Sequence, residues 1–262
     1  MDLGLRDKIA LVTGGSLGIG LRTARLLAAE GCHLGICCRS AKDLSAAAKE
    51  LQGKGIRLVT VEADVLKPDE AARFVDKCAA ELGGIDILIN NVGGGVGGTL
   101  MNSTDDEWSL TFEYNVFQIV RMIRLVVPHM QRRGGGSIVN LSSISGKIPQ
   151  LYGNGQYGAS KAALIFLTEP LALELVHDNI RVNTVSPGST IWEEGGAWLR
   201  NSLNHPEAFA TYVKDGFPMG RLGKPEEVAD AIVFLASPRA NWINGQNISV
   251  DGLEQPIPFQ GL

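Results

Sequence analysis

The chain is expected to fold as an α/β protein, a doubly wound parallel sheet of about seven strands with helices on both faces. Three observations carry that expectation. Short apolar runs bounded by turn residues alternate with longer helical patterns along the whole sequence. The first apolar run leads directly into a glycine-rich turn and then into a helical pattern. No linker, repeat or low-complexity tract interrupts the alternation, so residues 1–262 read as a single domain.

The elements follow in order. Residues 8–13, Lys-Ile-Ala-Leu-Val-Thr, form the first strand candidate, and Thr13-Gly-Gly-Ser-Leu-Gly-Ile-Gly20 opens a helix near 18–30. Gly14 permits a tight turn, while Gly18 and Gly20 let backbone and helix approach a ligand closely. Strand, glycine turn and helix are the context of a dinucleotide-binding turn. The spacing here, Gly-x3-Gly-x-Gly, departs from Gly-x-Gly-x-x-Gly, and a glycine turn that binds nothing is the alternative for the motif alone. The next strands are 33–38, 57–62, 86–90, 136–142, 180–186 and 246–250. Helical patterns near 42–53, 68–82, 105–132, 157–178 and 225–236 separate them. Pro170 lacks an amide donor and crowds the preceding turn, which predicts a bend near Phe166. Ligands bind such sheets beyond the C-terminal strand ends.

Composition narrows the function classes. The net charge is −4 with both signs scattered, which offers no nucleic-acid or anionic-membrane surface. No apolar run reaches the roughly 20 residues of a spanning helix, and the opening Met-Asp-Leu-Gly-Leu-Arg has no secretory pattern. Cys32, Cys37, Cys38 and Cys78 lack metal-site spacing. Cys37 and Cys38 end a strand expected to be internal, so buried thiols and a reducing, cytoplasmic location fit best. His129, His177 and His205 are isolated and read as surface or helix-end residues.

Tyr157 and Lys161 stand four residues apart in Tyr-Gly-Ala-Ser-Lys, a spacing that puts both on one helix face. A nearby cation favours the phenolate, so the tyrosine is expected to titrate below its ordinary value near 10. That would make it a proton donor and acceptor usable near neutral pH. Two helix-surface residues are the plainer reading of the spacing taken alone.

Together the glycine turn and Tyr-x-x-x-Lys resemble the short-chain dehydrogenase/reductase family, in its single-domain, 3-oxoacyl-[acyl-carrier-protein] reductase-like branch. The resemblance spans nearly the whole chain through Asp64-Val65, Asn90-Asn91-Val92-Gly93, Asn115, Ser142-Ser143, Asn183, Pro187-Gly188 and Asn244-Gly245-Gln246. Val92 departs from the usual alanine. The implied fold is the Rossmann type. The implied roles give Tyr157 the proton transfer, Lys161 the lowering of its pKa, Ser143 the substrate oxygen and Asn115 a water leading from the lysine to solvent. Ser143 is preferred to Ser142 because Gly146 follows three residues on, with Ser145 a competing neighbour. Gly14, Ser16, Leu17, Gly18, Ile19, Gly20, Asn91, Gly93, Pro187, Gly188 and Thr190 would contact the cofactor, as would Tyr157 and Lys161. Asp64 with Val65 would meet the adenine, or Asp64 would cap the helix ahead of Pro68.

The end of the second strand bears on which cofactor is held. An acidic residue there would bind the adenosine ribose and repel a 2′-phosphate. Cys38 occupies that position and Arg39 follows, with Ser40 and Ser16 as hydroxyl donors. A guanidinium can grip a phosphate through paired, charge-assisted bonds, so NADP(H) is favoured over NAD(H). Stacking of Arg39 on the adenine of NAD is the alternative.

The expected substrate is a small carbonyl or alcohol, held by residues 93–98, 144–154 and a lid near 189–216. Trp192 and Trp198 would give the lid aromatic contact area or pack a short helix on the core. Tyr152 reads as lining of the substrate loop. Arg121, Arg124, Arg132 and Arg133 are candidates for a basic patch facing a carrier protein. The resemblance implies a homotetramer through the helices at 105–132 and 157–178, with the tail 255–259 reaching a neighbour. Two alternatives stand beside a ketone reductase: an NAD-linked dehydrogenase of sugar, cyclic or steroid alcohols, and a non-catalytic NADP(H) sensor. An epimerase would need a larger C-terminal substrate region.

Overall fold

The computed structural model describes residues 2–53, 55–148, 155–191 and 196–255. Its centre is a parallel sheet of seven strands in the order β3-β2-β1-β4-β5-β6-β7. These are β1 (Ile9–Thr13), β2 (His33–Cys38), β3 (Leu58–Glu62), β4 (Ile87–Asn90), β5 (Gly136–Leu141), β6 (Ile180–Pro187) and β7 (Asn247–Val250). All of β1, β4 and β5 but Gly136 is buried, as the continuous apolar runs require of strands covered on both faces. The strand order reverses between β1 and β4, and that switch opens a crevice above their C-terminal ends. The expected Rossmann-type doubly wound sheet is present.

Helices cover both faces. On one side, α1 (Gly18–Ala29), α2 (Ala41–Leu51) and α9 (Pro225–Ala236) bury Leu21, Leu27, Leu44, Leu51, Ile232 and Leu235 against the sheet. On the other, α3 (Pro68–Leu82), α5 (Gln118–Arg132) and α6 (Gly155–Leu175) bury Phe74, Cys78, Ile119, Met122, Val126 and Leu164. Phe74 is fully buried; truncating such a side chain to alanine costs about 3–5 kcal/mol. No helix among the described residues is long and apolar enough to cross a membrane.

Two helical expectations are revised. The stretch 105–132 divides into α4 (Asp105–Phe112), a π-helical turn over Glu113–Phe117, and α5. Asn115 Nδ2 bonds the Thr111 carbonyl at 3.0 Å, the acceptor that its own amide would use in a regular α-helix. The helix near 157–178 begins earlier, at Gly155, and ends at Leu175, with a 3-10 turn over Val176–Asp178 and Asn179 in the left-handed region at φ 56°. Pro170 sits inside α6 without ending it. Its missing amide leaves the Phe166 carbonyl without that acceptor's usual donor, at the point where the bend is expected. The segment after β6 carries two further helices, α7 (Ala197–Asn204) and α8 (Pro206–Gly216), where only a lid with an undefined interior is expected from sequence.

Several motif residues prove to be scaffold. Asn183 donates to the Ile243 carbonyl and accepts from the Gln246 amide, while Asn244 Oδ1 accepts from the Val182 amide, tying β7 to β6. All four cysteines are free thiols, three of them buried. Burial pushes the Cys32 and Cys78 thiols up to about 12 and Cys37 higher still, so they are inert at neutral pH.

Candidate active site

The site lies on the rim above the C-terminal ends of β1, β4, β5 and β6. Thr13 ends β1, and its hydroxyl accepts from the Asn91 and Val92 amides at 3.0 and 3.2 Å. Asn91 Nδ2 in turn donates to the Thr13 and Gly14 carbonyls at 3.0 and 3.2 Å. The glycine turn and the loop after β4 are thereby one unit. Gly14 is left-handed at φ 63°. At Gly20 an added Cβ would collide with the Gly14 carbonyl oxygen and stand 2.6 Å from Asn91 Nδ2, so the turn tolerates only glycine there.

Above this turn α1 begins at Gly18 with an open N-terminus. Its N-cap, Leu17, supplies no side-chain bond, and no acidic residue lies in the first turn. Uncapped amides at the positive end of a 12-residue helix are an anion site suited to a pyrophosphate. Ser16 is buried beneath the turn and Leu17 is exposed above it. Glycine cradle and open helix end together fit a dinucleotide.

The adenosine end is built by β2 and β3. Cys38 is half-buried, with its thiol on the Ser40 carbonyl at 3.2 Å. Arg39 is exposed and donates to the Tyr114 hydroxyl at 3.2 Å, which swings the guanidinium across the crevice mouth. Ser40 caps α2 by accepting from the Asp43 amide at 3.2 Å, so its oxygen has structural work in addition to any ligand contact. Asp64 Oδ1 accepts from the Leu66 amide at 3.1 Å in a local turn; the N-cap of α3 is Lys67, so Asp64 does not cap that helix. Val65 is buried, and its carbonyl accepts from Arg121 at 3.2 Å.

At the other end α6 delivers Tyr157 and Lys161 toward the loop after β5. Lys161 is 3% exposed and its Nζ donates to the Leu141 carbonyl at 2.8 Å. The ammonium stands 5.6 Å from the centre of the Tyr157 ring. Among the described residues no carboxylate is bonded to it, and burial lowers its pKa from 10.5 to about 7. The Tyr157 pKa is displaced upward, chiefly by burial, and the neighbouring Ser143 hydroxyl only partly opposes this. The expectation that the lysine depresses the tyrosine is therefore corrected for the free protein. Both groups have lost solvent, and desolvation penalises each charged form more than the pair repays.

The serine pair resolves cleanly. Ser142 Oγ bonds the Lys161 carbonyl at 2.9 Å and is buried, which makes it a strut for α6. Ser143 is the one close enough to Tyr157 to lower its pKa against the burial, and its Oγ lies 3.2 Å from Ser145 Oγ. Asn115 is fully buried in the π turn. Its amide donates to the Gly94 carbonyl at 2.6 Å and Ser160 Oγ at 3.0 Å, and its Oδ1 accepts from the Gly94 amide. The side chain therefore holds the 93–96 loop against α6. Gly93 has no room for a Cβ, which would stand 2.9 Å from both Asn115 Oδ1 and Lys161 Nζ. Pro187 ends β6, the Gly188 amide bonds the Val250 carbonyl, and Thr190 Oγ1 turns back to the Gly188 carbonyl at 3.3 Å.

Sequence reasoning missed Ser160, Thr111 and Tyr114. Ser160 lies inside Tyr-Gly-Ala-Ser-Lys, where i+3 spacing from Tyr157 was its visible signal; its hydroxyl bonds the Tyr157 carbonyl at 2.7 Å. Thr111 and Tyr114 flank Asn115 and meet the loop after β4 and Arg39 only through folding. The basic patch does not form as a free cluster. Arg121 is paired with Glu113 and Arg133 with Asp86, and Arg132 bonds His129. His177 and His205 lie at helix ends as expected. Tyr152, Trp192 and the tail 256–259 fall outside the described residues. No cluster of metal-ligating side chains exists among the described residues.

A family model described as enoyl-(acyl carrier protein) reductase matches residues 14–252. The chain is 36% identical over 258 residues to the mouse dehydrogenase/reductase SDR family member 4, covering 95% of this chain and 87% of that one. Among solved structures, L-sorbose reductase from Gluconobacter frateurii complexed with NADPH and L-sorbose superposes with a TM-score of 0.91 at 35% identity. The match covers 98% of this chain and 100% of that one. A 7α-hydroxysteroid dehydrogenase complexed with NADH and 7-oxo glycochenodeoxycholic acid gives 0.89 at 30% identity, over 98% and 97% of the two chains. The chain belongs to the short-chain dehydrogenase/reductase family. It is an oxidoreductase of CH–OH groups that uses a nicotinamide cofactor.

Proposed function

We propose that the protein interconverts a ketone and a secondary alcohol with NADP(H), using Tyr157 as general acid and base. The observation that carries this reading is the convergence of Tyr157, Ser143 and a buried Lys161 that has no carboxylate partner among the described residues. Ser143 orients the substrate oxygen toward the phenol as an oxyanion donor does. Tyr157 delivers its proton to that oxygen in reduction and removes it in oxidation. Burial keeps the phenol protonated at neutral pH, the state that reduction uses. Lys161, when protonated, stabilises the phenolate left behind. Asn115 anchors the loop that walls the lysine, on the route by which a water chain would return the proton.

The bound nicotinamide supplies the hydride. Gly14, Ser16, Leu17, Gly18, Ile19 and Gly20 would hold the pyrophosphate, Asp64 and Val65 the adenine, and Asn91, Gly93, Pro187, Gly188 and Thr190 the nicotinamide half. Arg39 and Ser40 would take the 2′-phosphate; the absence of any carboxylate at position 38 or 39 supports NADP(H). The likeness to L-sorbose reductase with NADPH supports both that cofactor and a ketose among candidate substrates. An NAD-linked alcohol dehydrogenase is the second reading, favoured by the likeness to an enzyme solved with NADH.

The same reading makes the chain a single cofactor-binding domain with a substrate lid over 189–216. Free thiols support a cytoplasmic location. Exposed Phe117, Phe166 and Leu173 on the π turn and α6 support a homotetramer. The test follows NADPH and NADH oxidation against L-sorbose, other sugars, 3-oxoacyl thioesters, cyclic ketones and 7-oxo bile acids. Turnover of one class with NADPH supports the proposal, and a preference for NADH overturns its cofactor assignment.

A further inference from the structure

A buried carboxylate outside the catalytic cluster has only neutral partners. Glu254 is 3% exposed. Its Oε2 accepts from the Ser189 amide at 2.5 Å, and its Oε1 accepts from Ser189 Oγ at 2.8 Å and the Tyr212 hydroxyl at 3.2 Å. No cationic side chain is bonded to it among the described residues. The chain enters this position through a tight turn: Leu253 is left-handed at φ 64°, and the Glu254 amide bonds the Asp251 carbonyl at 3.0 Å. A leucine in that region is disfavoured, so the surrounding structure holds the turn that directs Glu254 inward.

The partners bracket the lid. Ser189 stands at its start, between Gly188 and Thr190, and Tyr212 lies near its end in α8. The Tyr212 ring stacks on Trp198 of α7 at 4.9 Å and 11°, and meets Phe217 edge-on at 5.3 Å. The Gln255 amide adds a bond to the Gly216 carbonyl at 2.8 Å. At Gly188 an added Cβ would stand 2.9 Å from the Asp251 Cα and 2.7 Å from Glu254 Oε2, so the backbone after β7 and the carboxylate pack directly on this glycine. One side chain thus joins the loop leaving β6 and helix α8 to the segment after β7, with α7 reached through the Trp198–Tyr212 stack.

We propose that Glu254 is a positioning residue for substrate binding, a clasp that fixes helices α7 and α8 through Ser189 and Tyr212. This rests on the reductase reading above. The carboxylate needs no contact with substrate; its bonds tie α8, and through the Trp198–Tyr212 stack α7, to the chain leaving β6. Glu254→Gln exchanges one acceptor oxygen for a donor amide facing these donors, Glu254→Ala removes the clasp, and Tyr212→Phe removes one hydroxyl while keeping the ring.

The experiment compares wild type, the three single variants and the Tyr212→Phe/Glu254→Ala double variant in two readouts. Amide hydrogen exchange over 197–216 in the cofactor-free protein reports the lid without requiring turnover. Steady-state kinetics on the ketone that wild type reduces separate KM from kcat. The expected result is lid exchange and ketone KM each raised about tenfold in Tyr212→Phe and Glu254→Ala, with kcat within about threefold. The double variant should be no worse than Glu254→Ala alone. Unchanged lid exchange in Tyr212→Phe and Glu254→Ala overturns the clasp. So does raised exchange with unchanged KM, or kcat lost at constant KM. A wild type that reduces no ketone counts against the reductase reading, and the exchange measurement still decides the clasp.

Discussion

Replacing Lys161 by methionine should stabilise the cofactor-free protein, most of all in mild acid. Burial displaces the lysine from 10.5 to about 7, which corresponds to about 5 kcal/mol at about 1.4 kcal/mol per pH unit. Below pH 7 the folded protein carries that whole cost. Between 7 and 10.5 the unfolded chain binds more protons than the folded one, so wild-type stability gains with rising pH relative to the variant. Methionine fills a similar volume but leaves the Leu141 carbonyl without its donor, a loss of about 1–3 kcal/mol. The net advantage of Lys161→Met at pH 6 is therefore about 2–4 kcal/mol, narrowing by about 3 kcal/mol at pH 9.5. Urea unfolding of both proteins at the two pH values measures it. The buried cysteines also weaken the fold at alkaline pH, because their folded-state values lie above the unfolded ones. They are common to both proteins and cancel in the comparison. A difference that is the same at pH 6 and 9.5 would show that the ammonium is hydrated or paired in the folded state, and would refute the desolvation argument.

Further predictions concern the site. Tyr157→Phe should lower kcat by about 10²–10⁴-fold while calorimetry shows NADPH binding little changed; retained turnover would remove Tyr157 as the proton donor. Gly20→Ala forces a Cβ onto the Gly14 carbonyl and the Asn91 amide. It should abolish cofactor binding and cost about 1–3 kcal/mol of stability, both readable from melting curves with and without NADPH. Arg39→Ala should raise KM for NADPH about tenfold or more and leave NADH nearly untouched. Equal effects on both cofactors would assign Arg39 to the adenine instead.

Much of the fold was legible because a parallel sheet buried on both faces writes itself as apolar strands at regular spacing. The glycine turn was legible for a similar reason, since Gly14 and Gly20 occupy positions where backbone conformation or contact leaves no alternative. The division of 105–132 was not visible. It depends on Asn115 competing for the Thr111 carbonyl, and nothing in the local pattern shows that a loop after β4 will hold the same amide. The preference for Ser143 over Ser142 rests in the sequence on the position of Gly146, whereas the bond by which Ser142 is engaged on the Lys161 carbonyl is visible only in the fold.

The sequence by itself determined the parallel sheet, the glycine turn between its first strand and helix, and the residue types available for proton transfer. These follow from periodicity and from steric rules that act over a few residues. The tertiary structure alone decided the direction in which Tyr157 and Lys161 are shifted. Proximity on a helix face predicted a depressed tyrosine, whereas burial raises Tyr157 and lowers Lys161. Desolvation depends on everything packed around a group, which no short motif encodes. The same holds for Glu254, 65 residues from Ser189 and 42 from Tyr212 along the chain. Only the folded arrangement brings that carboxylate to Ser189 and Tyr212.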